Sequence, residues 1–392
     1  MHDLDDPYTY YASLRTHSPV ARLGDSGFYA VASWELIQDV VARPEEFSSN
    51  LTATMVWHPD GTITDFPIAE LGAPLHVLAT ADGPTHRLHR KLVMPSLVPG
   101  RIRELEQFIV ATLADLWGDG LRDGHIDWVT AIAQRLPMAV VAELLGLDAY
   151  DIDDLLRWAF ASTMVMDAVV TPGQLDDAGR AVAELTAHLD AALAGAMDAP
   201  GDDVMGVLAG HVGTGVIDRT TALVLLIQLV AAGAESTVSL LGTAVRLLGS
   251  HPEIESRLRA DRALVPVFVE EALRLESPFR GHYRHVTTDT VLGDTQIPAG
   301  ARLYLLWGSA NRDDGRFDNP DAISLDTSTR PTHMAFGKGI HLCVGAALAR
   351  MEARIAIDFL LDATTGFDIV GDPQWERSLL VRRLRSLGLV VR

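Results

Sequence analysis

The chain has 392 residues, a formal net charge of −20 and a single cysteine. That charge repels nucleic acid and anionic membrane surfaces, which argues against both as general partners, and one thiol excludes an internal disulfide. Hydrophobic residues at 48% against 21% charged give enough apolar surface for a sizeable core rather than disorder. The start, Met-His-Asp-Leu-Asp-Asp, has no apolar or basic leader, so a reducing cytoplasm is expected.

From residue 7 to 43 the pattern predicts a helix, two short strands at 20–22 and 28–31, and a helix opened by Ser33. Residues 46–78 mix Leu51, Met55, Trp57 and Phe66 with proline and glycine and read as a long irregular segment, a kind that is often functional. Helical patterning runs from 84 to 197, with breaks at Pro95, Pro99, 118–124 and 172–173. Residues 218–249 then read as one long central helix, about 48 Å at ~1.5 Å per residue. It could span a bilayer by length, but Gln228, Glu235 and Arg246 interrupt it and Glu235 falls mid-span, where a charge is costly. A buried core helix is therefore predicted, with no membrane contact. A helix at 265–275, short β segments within 283–306 and a helix from 346 to about 361 follow. With no Ser/Gly/Pro-rich linker or repeat, a single domain over 1–392 is expected, mainly α with small β-sheets.

Residues 335–345, Ala-Phe-Gly-Lys-Gly-Ile-His-Leu-Cys-Val-Gly, set the cysteine between a glycine-broken loop and strong helix formers. Gly337 and Gly339 permit backbone shapes closed to other residues and let a flat ligand approach, while Gly345 spares a side chain just past the sulfur. Near a helix N-terminus, Cys343 is expected to favour the thiolate that a metal needs. One cysteine cannot build a four-ligand zinc site or an iron–sulfur cluster, whereas haem iron needs a single axial ligand from the protein. Haem is thus the economical reading. A buried apolar cysteine and a protease-type nucleophile are the alternatives, and the local signatures of the latter are absent.

Taken together, Phe336-Gly337-x-Gly339-x-His341-x-Cys343-x-Gly345 resembles the haem-binding signature of the cytochrome P450 family, and the order of elements resembles the cytochrome P450 fold over nearly the whole chain. The resemblance implies haem b (iron-protoporphyrin IX) with Cys343 as its metal ligand and O2 as co-substrate. In Ala232-Gly233-Ala234-Glu235-Ser236-Thr237 it implies that Ala232 and Gly233 pass over the haem, and that Glu235 with Ser236 or Thr237 supplies protons. Serine stands at 236 where the family usually has threonine. The alternative is that both hydroxyls merely bond to carbonyls one turn back. The segment Asp82 to Arg90 offers His86 and Arg90 to the haem propionates, with Arg284 and His341 as further contacts. Glu271-x-x-Arg274 resembles the family's structural brace, and the arginine the family adds to it is displaced or absent, Arg330 not being assigned to that place.

The same resemblance places an apolar substrate among Met55, Trp57, Phe66, Leu229, Phe279 and Leu379, with Met164 and Met166 nearby. Arg280 and His282 are open to a polar group of the substrate, to a propionate or to the surface. The implied function is that of a soluble bacterial-type monooxygenase acting on an unactivated C–H bond of a small to medium apolar molecule. No flavin- or nicotinamide-binding segment follows, so electrons are expected from a ferredoxin and its NAD(P)H-fed reductase. Arg101, Arg103, Lys338, Arg350 and Arg354 are expected to form a basic dock. A peroxide-driven peroxygenase, an oxidative coupling enzyme and a haem sensor without turnover are the competing functions on the same fold.

Overall fold

Asp218 opens the central helix by accepting the Thr221 N–H on its side chain at 2.7 Å, and the helix then runs over Arg219–Ser250. In the computed structural model, which describes residues 4–58, 60–71, 74–148, 150–169, 171–326 and 332–392, this helix is the axis of the main core. Leu225, Leu226, Leu240, Leu241 and Leu248 are buried along it, each worth about 1.5–3 kcal/mol relative to exposure. Helices Arg135–Leu145, Ile152–Met164, Val265–Leu275 and Ala346–Ala363 pack around it. It is long and apolar enough to cross a membrane, but more than half of its most apolar stretch is buried inside the protein.

Two sheets flank the helices. The larger joins the chain's beginning to its later part in the order Val20–Arg22, Phe28–Val31, Arg302–Leu305, His282–Val286, Phe47–Ser48, with Arg302–Leu305 parallel to Phe28–Val31. The smaller pairs the hairpin Phe367–Trp375 and Leu384–Val391 with His125–Asp127. Helix Gly83–Val93 stands between them in sequence, started by Pro84 in its first turn.

The expected irregular stretch 46–78 is more ordered than its composition suggested. It contains an antiparallel hairpin, Ala53–Trp57 against Ile63–Pro67. The turn is closed by His58 N–H donating to the Thr62 carbonyl at 2.9 Å, and by Asp60 Oδ1 accepting from Thr62 N–H and Oγ1. Gly61 takes a φ of +86°, so the Asp60-Gly61 step supplies the turn chemistry.

Candidate active site around Cys343

The cysteine loop folds as its glycines require. Gly337 and Gly339 adopt φ of +68° and +74°, and a Cβ on Gly339 would lie 3.0 Å from the Val41 carbonyl oxygen, so the loop sits tightly on helix Trp34–Ala42. Cys343 N–H donates to the Phe336 carbonyl at 3.0 Å, closing the loop before helix Ala346–Ala363 begins. The guanidinium of Arg350 lies 4.4 Å from the Phe336 ring centre and grips Glu270 at 2.7 and 2.9 Å. A Cβ on Gly345 would meet Cys343 Sγ at an ordinary 4.0 Å, so no protein atom forces that glycine.

Cys343 is exposed on one side, yet enough protein surrounds it that burial pushes its thiol up, against the pull of the Gly345 and Ala346 N–H groups and the charges of Arg90 and Arg350. The helix start pulls toward a thiolate against burial and does not by itself settle the proton. A coordinated metal would, because its charge removes the thiol proton outright.

Next to this loop the structure gathers the residues proposed for propionates. The rings of His86 and His341 lie 4.1 Å apart, and Arg90 Nη1 donates to the Leu342 carbonyl at 2.8 Å. Burial pushes His341 down to about 3, helped by the positive charges of Arg284, His86, Arg90 and His282. Burial likewise pulls Arg284 down to about 10, with Asp82 opposing. Asp82 is itself engaged by Ser48 Oγ and Ser49 N–H, and its Oδ1 stays 3.9 Å from His341 Nε2, which is buried without a hydrogen-bond partner. His282 joins the group from the sheet. Its Nδ1 accepts from Trp307 Nε1 at 2.7 Å, which leaves the ring proton on Nε2.

On the central helix, Ala232 is exposed and Ser236 half-buried, one turn apart on the same face. Ser236 Oγ donates to the Ala232 carbonyl at 2.8 Å. Thr237 is only 3% exposed and points into the core, so it does not share that face. A Cβ on Gly233 would lie 2.4 Å from Val141 Cγ2, so this glycine serves the close approach of helix Arg135–Leu145. Glu235, 1% exposed, turns toward helix Ile152–Met164 and the C-terminal hairpin, where Arg383 meets it. Nothing in the local sequence pattern marked Arg383, because the two lie at opposite ends of a long chain separation.

The residues grouped as a substrate pocket separate. Met55, Trp57 and Leu379 line a small apolar recess of about 90 Å³ with Ile63, Tyr304 and Leu306. Phe66 is half-buried on the hairpin opposite Thr54 and is not among that lining. Phe279 stacks near His282, ring centres 4.9 Å apart, and Leu229 is half-buried one turn before Ala232. Arg280, at 2% exposed, donates to the Val381 carbonyl at 3.0 Å and the Leu4 carbonyl at 2.6 Å, with its Nη1 buried and unpartnered. The expected basic dock is largely neutralised, since Arg101 pairs with Glu104, Arg350 with Glu270, and Arg354 with Glu106. Lys338 is occupied by Gln38 at 3.0 Å. Glu271 and Arg274 form a bidentate pair at 2.9 and 2.8 Å, and Arg330 lies outside the described residues.

A family model described as Cytochrome P450 matches residues 213–363. Cytochrome P450 144 of Mycobacterium tuberculosis is 47% identical over 388 residues, covering 99% of this chain and 89% of its own length. The chain belongs to the cytochrome P450 family. This P450 is also similar to 6-deoxyerythronolide B hydroxylase of Saccharopolyspora erythraea, 30% identical with 97% and 95% of the two chains covered. Among solved structures, that of cytochrome P450 CREJ in complex with (4-ethylphenyl) dihydrogen phosphate superposes with a TM-score of 0.90 at 26% identity, covering 100% and 98%. The mainly helical fold with small sheets is that of the family, and the protein is a haem monooxygenase, an oxidoreductase that uses O2.

The residues present fit a haem. One sulfur stands beside a partly buried group of cationic and imidazole donors, with His341 Nε2 unpartnered and Asp82 as the acid that reaches them. Such a set calls for an anionic partner, and two propionates supply it.

Proposed function

We propose that this P450 hydroxylates a small to medium apolar organic molecule with O2, using haem b and electrons from a separate ferredoxin and an NAD(P)H-fed reductase in the cytoplasm. The observation that carries the reading is the single cysteine placed next to an under-neutralised cluster of His86, Arg90, Arg284 and His341. A haem bound there, with Cys343 as its thiolate ligand, would supply oxygen activation. Phe336 and Gly337 would shape the loop that receives the haem, and His86, Arg90, Arg284 and His341 would hold its propionates. Ala232, exposed on the central helix, would leave room for the haem, and Ser236 Oγ, which donates to the Ala232 carbonyl, would offer a hydroxyl to pass a proton from Glu235.

Leu229, Phe279 and the apolar recess at Met55, Trp57 and Leu379 support an apolar substrate. A relative named as a hydroxylase supports hydroxylation over coupling, and the Glu235–Ser236 pair supports O2 over peroxide as the oxidant. With much of the expected dock neutralised, exposed Arg87 and Lys91 on the His86 helix are the cations offered to an acidic ferredoxin, alongside Arg103.

The deciding experiment is the absorption spectrum of the reduced protein with carbon monoxide, beside a Cys343→Ala variant. A strongly red-shifted Soret band that the variant loses is expected. A haem band without that shift in the parent would overturn the thiolate assignment.

A further inference from the structure

Between the first helix, Tyr8–His17, the end of the central helix and the C-terminal hairpin lies a polar cleft of about 630 Å³. Among the described residues, none of those assigned to haem or substrate lines it. Four arginines do, on a protein whose formal charge is −20: Arg15, Arg246, Arg312 and Arg382, each from a different part of the chain. Glu276, 3% exposed, lies among them. Its Oε1 accepts from Arg246 Nη2 at 2.6 Å, and its Oε2 accepts from Arg382 Nε and from the Tyr8 hydroxyl, each at 2.8 Å. Arg312 Nη2 stays 3.6 Å from the same carboxylate. One buried carboxylate thus answers three guanidiniums. Asp321, which Arg312 meets at 2.9 Å, is 76% exposed along its side chain, and water screens that pair.

Arg15 spends Nη1 on the carbonyl and hydroxyl oxygens of Ser309, at 3.1 and 3.2 Å, both uncharged. Burial pushes its guanidinium down, with Asp313, Asp314 and Asp321 opposing. Three nitrogens of the group, Arg15 Nε, Arg246 Nε and Arg382 Nη1, are buried with no hydrogen-bond partner. Aromatic faces hold two of the arginines: Arg382 lies 3.4 Å from the Trp375 ring centre and Arg312 3.4 Å from that of Tyr8. Such stacking fixes a guanidinium in place without cancelling its charge.

We propose that this cleft binds a single phosphoryl group, free or carried on a small uncharged molecule, with half-buried Arg15, Arg246 and Arg312 donating to its oxygens and buried Arg382 supplying charge from the floor. Surplus positive charge held out of water calls for an anion that accepts several charge-assisted hydrogen bonds. Guanidiniums converging from four parts of the chain suit the three spread oxygens of a phosphoryl group better than the coplanar pair of a carboxylate. The exposed rim carries Asp5 and Asp6 beside Asp321, so a polyphosphate or nucleic acid is repelled at the mouth while a lone phosphoryl group is admitted. Occupancy bridges the first helix, the central helix and the hairpin, and so stabilises the folded protein by mass action.

The test is isothermal titration calorimetry of the haem-loaded protein at fixed ionic strength, with inorganic phosphate, glycerol 3-phosphate and citrate as probes. One-site binding of both phosphates is expected, with citrate much weaker and an unfolding midpoint that rises with phosphate concentration. Tighter binding of glycerol 3-phosphate supports an ester as the source, and equal affinity supports free phosphate. Arg15→Met is expected to weaken phosphate about 10-fold or more, Arg15→Lys to weaken it less, and Arg122→Met, at an exposed position outside the cleft, to leave it unchanged. Absence of saturable phosphate binding would overturn the proposal, as would citrate binding as tightly as phosphate or an Arg15→Met variant that matches the parent. Should Arg15→Met fail to fold, Ala12→Asp, which sets a carboxylate in the cleft wall, is expected to abolish phosphate binding, and retained binding there sinks the idea. The carbon monoxide spectrum is read on the same samples: a parent without the red-shifted band defeats the proposed function, while the phosphate titration still reports on the cleft.

Discussion

Two arginines, Arg274 and Arg284, show how differently the same side chain can be kept. Arg274 is sealed in the brace: its guanidinium meets both oxygens of Glu271 and donates to the carbonyls of Asn311, Pro320 and Ala322, with the Phe317 ring 5.0 Å away. Arg284 is half-buried, and it donates to its neighbour's carbonyl at Tyr283, sits among His341, His86 and Arg90, and has Asp82 as the acid within reach. A charge whose partners all come from the chain belongs to the scaffold. One held among like charges is arranged for something the chain does not supply.

Breaking the brace gives the largest effect. Arg274→Ala strands the Glu271 carboxylate and is expected to cost about 3–5 kcal/mol, read as a collapse of the thermal unfolding midpoint whether or not haem is bound. Arg284→Met sharpens the contrast: apoprotein stability in urea is expected to hold or rise, while haem transfers to a scavenger globin about 10-fold faster or more. Equal losses of apoprotein stability in the two variants would erase the distinction.

Glu352 offers a carboxylate that belongs to neither class. It is fully buried in helix Ala346–Ala363, and burial alone raises it from the usual 4.5 to about 8. The folded state keeps a proton that the unfolded chain releases near pH 4.5, so this contribution is complete at low pH and is lost as pH rises through about 8. Glu352→Gln is expected to abolish that decline, a difference on the order of 2–4 kcal/mol at pH 9 in denaturant titrations and near zero at pH 4. Gly233→Ala is expected to cost about 1–3 kcal/mol through the clash with Val141, and pairing it with Val141→Ala should recover part of that. Arg354→Ala, at a surface pair with Glu106, is expected to cost at most about 1 kcal/mol.

What could be read from the sequence follows how local each signal is. The central helix, the Glu271–Arg274 pair and the Cys343 loop are written within a few residues, and their elements stand close to the predicted limits. The hairpin in 46–78 was signalled by Asp60-Gly61, but the proline- and glycine-rich surroundings hid the strands. Gly233 showed that something must approach closely and could not say that it was Val141. Arg280, drawn to Leu4, and Arg383, drawn to Glu235, depend on contacts between remote segments that periodicity does not encode.

The strand order of the larger sheet also constrains the chain as it leaves the ribosome. Phe28 and Val31 are fully covered in the finished protein, and their strand is completed on one side by Arg302–Leu305. During synthesis that apolar strand must wait for its partner until most of the polypeptide has emerged. A nascent chain stalled before residue 302 would expose a sticky strand, making chaperone capture, rather than the haem pocket, the first selection this sequence has to pass.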